Sequence, residues 1–117
     1  MQEAIPSVGG IGQEFTDRLA KKLGSVLVRV ILFGSRAEGR GGPRSDYDLL
    51  IVLVRKDRRM IDEIYELVTD FLLRYGADIS LKIYTVEDFA RKMNLLTPFM
   101  QRIQERGVTL WTQTAGK

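Results

Sequence analysis

Two apolar runs separated by a glycine-rich, charged loop constrain this chain most. Val26 to Phe33 is β-branched and apolar, and Leu49 to Val54 is apolar throughout. Each has the length and composition of a strand with little solvent contact. The first ends in Gly34-Ser35-Arg36 and the second opens with Asp46-Tyr47-Asp48. Residues i and i+2 of a strand project to the same side, so Asp46 and Asp48 project together while Tyr47 and Leu49 face the core. Two carboxylates on one face repel unless a cation lies between them, and hard oxygen donors suit Mg²⁺. A purely structural alternative has Asp46 capping a turn after Pro43-Arg44-Ser45 with Asp48 solvated. The buried run after Asp48 argues against it, because a carboxylate at the edge of such a strand needs a partner.

Gly34 allows a sharp turn and a close backbone approach to a ligand. Ser35 is placed to cap a short helix beginning near Arg36, whose N-terminus would suit phosphate, with Arg36 as a further phosphate donor. The loop thus reads as a phosphate cradle facing a metal-binding pair.

Gly34-Ser35, a ten-residue gap and then Asp46-Tyr47-Asp48-Leu49 resembles the signature of the DNA polymerase beta-like nucleotidyltransferase superfamily. Gly-Ser-Arg-Ala-x-Gly followed by Ser-Asp-x-Asp-Leu is similar to its minimal nucleotidyltransferase (MNT) family. The resemblance covers about Val26 to Trp111. It implies an α/β (α+β) fold, with a small mixed sheet of about four strands flanked by helices. It implies ATP held on its phosphates by Gly34, Ser35 and Arg36, and Mg²⁺, as two ions, on Asp46 and Asp48. It also implies a third carboxylate on a later strand. Asp78, at the head of the alternating segment Ala77 to Tyr84, is the candidate, as general base or further metal ligand; on the bland reading it only ends the turn at Tyr75-Gly76. Position 38, often basic in such motifs, is Glu38 here, although Arg40 and Arg44 are near it in sequence.

Composition narrows the chemistry. There is no histidine and no cysteine. Histidine bases, Ser-His triads, thiolate metal sites and disulfides are therefore excluded, leaving carboxylates, cations, hydroxyls and metal. A net charge of +3 suits an anionic ligand without itself indicating nucleic acid. No apolar run approaches the roughly 20 residues of a membrane span, and no signal peptide is recognisable, so a cytoplasmic protein is expected.

The chain divides into a loose leader over 1–10 and one domain over 11–117. Ile11, Phe15, Leu19 and Leu23 form a helical stripe that Gly24 ends. A long stripe from Met60 to Tyr75 predicts a helix over Arg58 to Tyr75, between Asp57 and Gly76. Its basic flank (Arg55, Lys56, Arg58, Arg59) reads as solvated charge. Ile79, Leu81 and Ile83 share one face of the next strand, and Asp78, Ser80 and Lys82 the other; Lys82 could reach a nucleotide from there. Thr85 with Asp88, and Thr97-Pro98, mark two more helix starts. Val108 to Trp111 predicts a last strand, with a frayed tail after it.

On this reading no second domain remains to bind the acceptor, so a partner chain or a homodimer is expected to provide it. MNT proteins are often paired with HEPN-domain proteins in toxin–antitoxin systems. The resemblance therefore implies transfer of AMP to a tyrosine of a HEPN toxin, with this chain as antitoxin. Two other readings stay open: a nucleotide- or partner-binding module without turnover, and a small-molecule or RNA nucleotidyltransferase acting as a homodimer.

Overall fold

The computed structural model describes residues 2–3, 10–42 and 46–113. In chain order the elements are β1 (Gln2–Glu3), α1 (Ile11–Leu23), a 3-10 turn (Gly24–Val26), β2 (Leu27–Phe33), β3 (Tyr47–Leu53), α2 (Arg58–Tyr75), β4 (Ile79–Thr85), α3 (Val86–Leu95), α4 (Pro98–Arg106) and β5 (Val108–Thr112). The sheet order is β1-β5-β2-β3-β4. β2 pairs antiparallel with both β3 and β5, β3 pairs parallel with β4, and β1 is a two-residue parallel addition to β5. This is the expected mixed sheet of four full strands flanked by helices. Within the leader expected over 1–10, Gln2 and Glu3 pair with Val108 and Thr109. The remainder through residue 9, residues 43–45 with Arg44, where a turn was expected, and those after 113 lie outside the described residues.

Local signals explain most boundaries. The Asp57 carboxylate accepts the Met60 N–H at 2.9 Å, and Gly76 closes α2 in the left-handed region at φ 66°, where glycine carries no Cβ penalty. Thr85 and Thr97 cap α3 and α4 through their hydroxyls, and Pro98 occupies the first turn of α4, where its missing N–H costs nothing. The basic flank of α2 is exposed; Arg58 and Arg59 lie 4.0 and 3.7 Å from Asp62 and Glu63, pairs of small worth at a surface.

The parity of β3 divides the molecule. Leu49, Ile51 and Leu53 face α1 and α2, where Phe15, Leu19, Ile64 and Phe71 have no exposed surface. Phe15 and Phe71 meet edge to face at 5.4 Å, locking the two helices. Leu50 and Val52 face the other way, onto Ile31, Met100 and Ile103, with Phe33, Phe89 and Phe99 around them. Asp48 shares the parity of Leu50 and Val52, so its carboxylate emerges on the side covered by α3 and α4. Among the described residues no helix is long and apolar enough to cross a membrane.

Candidate active site

Asp48 lies on β3 opposite Phe33 of β2 and Ser80 of β4. Asp46 sits one step before the strand, on the same side. The Ser80 hydroxyl donates to Asp46 Oδ2 at 3.2 Å, tying that carboxylate to β4. The Tyr47 N–H donates to the Asp78 carbonyl at 2.9 Å, which fixes the mouths of β3 and β4 side by side.

The two carboxylates affect each other. Burial, first, and the negative charge of Asp46, second, push the Asp48 carboxyl above its ordinary value, while the Lys82 ammonium acts in the opposite direction. A half-buried carboxylate held against a like charge is costly without a cation. The donor set, two converging hard oxygen groups, fits Mg²⁺.

Gly34 completes this wall. It adopts φ +78°, and a Cβ built there would collide with Asp48 Oδ2 and lie 3.2 Å from Asp48 Cγ. The loop backbone therefore packs directly on the carboxylate, which only glycine permits.

Other expected residues are placed differently. The short helix from Arg36 does not form. Residues 34–40 make hydrogen-bonded turns: Glu38 N–H to Gly34 C=O at 3.2 Å, Gly39 N–H to Arg36 C=O at 3.4 Å and Arg40 N–H to Ser35 C=O at 2.8 Å. Gly39 takes φ +75°, and Gly41 folds back so closely that a Cβ there would lie 2.7 Å from Arg36 Cγ. Glycines at 39, 41 and 42 break the helix before a second turn. The helix-terminus argument for phosphate is thereby lost, although Ser35 remains at the first turn. Arg36 carries its guanidinium 3.8 Å above the Tyr47 ring, and Tyr47 packs against the α1/α2 core. That is the opposite side of the sheet from Asp48. Asp78 is exposed at the head of β4. Among the described residues no three acidic, histidine or cysteine side chains are gathered into a group that could hold a metal.

Two arginines near the loop escaped the sequence reading. Arg102 of α4 donates through both Nε (2.9 Å) and Nη2 (2.8 Å) to the carboxylate of Glu38. Arg40 approaches the same carboxylate at 3.3 Å and Arg106 at 3.7 Å. The Glu38 side chain is only 4% exposed. The hydrogen bond from Arg102 is the chief cause that holds its carboxyl below the usual range, against an opposing effect of burial. These groups rim a pocket of about 260 Å³ floored by Phe33, Phe99 and Ile103, with Gly34 also in its wall. The one available signal was the unusual Glu38 itself, an acid in a basic loop.

A fold and site of this kind define nucleotidyltransferase-domain proteins, and the family model described as "Nucleotidyltransferase domain" matches residues 13–105. The chain belongs to that family. Among relatives, "Putative protein adenylyltransferase MJ1305" of Methanocaldococcus jannaschii is 34% identical over 88 residues, 73% of this chain and 60% of the relative. The chain thus spans less than two thirds of that relative. A second protein of the same organism, "Putative protein adenylyltransferase MJ0604", is 33% identical over 99 residues, 85% of this chain and 93% of the relative. Among solved structures, a toxin–antitoxin with AMP-PNP superposes with a TM-score of 0.60 at 18% identity, covering 88% of this chain and 75% of that one. A tri-AMPylated Shewanella oneidensis HEPN toxin in complex with its MNT antitoxin gives 0.52 at 15% identity, covering 90% and 73%. At such identities the structures show a shared fold.

Proposed function

We propose that this chain transfers AMP from ATP to a protein hydroxyl, most simply a tyrosine of a HEPN-type toxin that it silences as an antitoxin. One observation carries the reading. Asp46 and Asp48 converge at the mouth of β3, against the backbone of Gly34, in an arrangement that is costly until a cation is bound. The names of the Methanocaldococcus relatives and the AMPylated toxin beside an MNT antitoxin support the choice of a protein acceptor.

In this reading Asp46 and Asp48 would hold Mg²⁺, as two ions. When bound, it neutralises charge on the phosphates and on the attacking and leaving oxygens. Gly34 and Ser35 line the triphosphate. The acceptor oxygen attacks the α-phosphorus, the bond from that phosphorus to the bridging oxygen breaks, and pyrophosphate departs. Asp78, exposed where an acceptor approaches, takes the hydroxyl proton. Positioning and charge stabilisation supply most of the rate. Arg36 fixes the loop by stacking on Tyr47 and would have to leave that ring to touch a phosphate.

Co-expression with a HEPN-domain protein, followed by intact-mass measurement of that protein, tests this directly. A mass increment of one or more AMP groups, absent with Asp46→Ala/Asp48→Ala, supports it; an unmodified protein from a stable complex counts against it. The exposed position of Asp78 favours one alternative, nucleotide binding without turnover, and tight ATP binding without any transfer would select it.

A further inference from the structure

We infer that the arginine-rimmed pocket between the loop and α4 is the seat of the distal phosphates, with Arg102 and Arg106 as the phosphate-reading arm of this chain. The inference rests on the nucleotidyl-transfer reading and names residues that reading did not use.

Three observations support it. First, the pocket is contiguous with the metal-binding pair, because Gly34 lines the pocket and also packs on the Asp48 carboxylate. A triphosphate whose α-phosphate lies at Asp46 and Asp48 can extend its β- and γ-phosphates past Gly34 into this space. Second, the loop guanidinium next to Ser35, that of Arg36, lies over Tyr47 on the far side of the sheet. Cationic donors on the Asp48 side are Lys82, 5.6 Å from the Phe99 ring, and, around the pocket itself, Arg40, Arg102 and Arg106. Third, these three guanidiniums surround the carboxylate of Glu38, and Glu105 is the one further acid that acts on Arg102. The wall keeps an excess of positive charge, while Glu38 fixes the fork of Arg102 by a two-point bond. The arginine side chains are 58–61% exposed, so donors not engaged by Glu38 face solvent. A planar guanidinium held in one orientation is well suited to phosphate oxygens. Glu38, an oddity in a phosphate-binding loop, is on this account a positioning residue that orients the arm.

The test is calorimetric titration of the whole chain with ATP, ADP and AMP, each with Mg²⁺. Wild type should bind ATP more tightly than AMP. Arg102→Ala/Arg106→Ala should lose about tenfold in ATP affinity per arginine, in line with a charge-assisted hydrogen bond, and keep its affinity for AMP. Arg102→Lys retains the charge opposite Glu38 and guards against loss of folding; it should fall between the two, because an ammonium lacks the fork. ATP affinity unchanged in both variants, or ATP and AMP weakened equally, overturns the inference and leaves the nucleotidyl-transfer reading standing. A wild-type chain that binds no ATP overturns both.

Discussion

The backbone of Gly34 lies against the carboxylate of Asp48: any side chain at position 34 would occupy the space of Asp48 Oδ2. The loop and the strand therefore share one wall of the site. Gly34→Ala adds a methyl group where φ is +78° and where Asp48 must move. Backbone strain alone should cost roughly 1–3 kcal/mol. Transfer should fall at least about a hundredfold, because a displacement of about 1 Å at a reacting centre costs that much. Thermal unfolding and initial rates measured on the same preparation check both halves.

The charge of Asp48 is held at a cost, since burial and Asp46 both oppose it. Replacing Asp48 with the uncharged isostere removes that cost. Asp48→Asn should raise Tm at neutral pH in the presence of a chelator while abolishing transfer, a trade of function for stability. A lower Tm than wild type under those conditions would show the pair to be stabilising in its own right.

Glu38 gives a pH signature of defined sign. Its folded carboxyl is held below the ordinary value, chiefly by the hydrogen bond from Arg102. Such a group contributes stability above the unfolded value of about 4.3, and the contribution is lost as pH falls through the lower folded value. The Tm difference between wild type and Glu38→Gln should be constant from about pH 7 to pH 5 and shrink below about pH 4. A difference that grows as pH falls would contradict the assignment.

The α1–α2 junction should be separable from the chemistry. Phe15 and Phe71 are fully buried and meet edge to face. They lie on the side of the sheet away from Asp48. Phe71→Leu should lower stability by roughly 1–3 kcal/mol and leave the KM for ATP unchanged at temperatures where the variant is folded. Denaturant titration and steady-state kinetics together decide this.

Some of this was plain in the sequence for physical reasons. Helix α2 was legible to the residue because Asp57, the apolar stripe and Gly76 are three independent local signals that agree. That Asp46 and Asp48 project to one side was legible because strand parity is local, and that side of the sheet follows from Leu50 and Val52. The loop after Gly34 was misjudged: a Ser cap argues for a helix, but Gly39 and Gly41 turn the chain back before a second turn can form. The stacking of Arg36 on Tyr47 joins residues across the loop through side-chain contact, which no periodicity records. The bond between Glu38 and Arg102 spans 64 positions. It exists because α4 crosses the Asp48 side of the sheet, and only the folded arrangement of strands brings it to the loop.

Which phosphorus of ATP reaches the acceptor distinguishes nucleotidyl transfer from every other ATP-dependent modification. Parallel reactions with α-³²P-ATP and γ-³²P-ATP, Mg²⁺ and a HEPN-domain protein, with the Asp46→Ala/Asp48→Ala chain as control, decide it. Nucleotidyl transfer at Asp46 and Asp48 should leave α-label on the acceptor protein and release γ-label as pyrophosphate, with neither event in the control. Label from the γ-position on the acceptor, or α-label transfer that survives in the control, would contradict it.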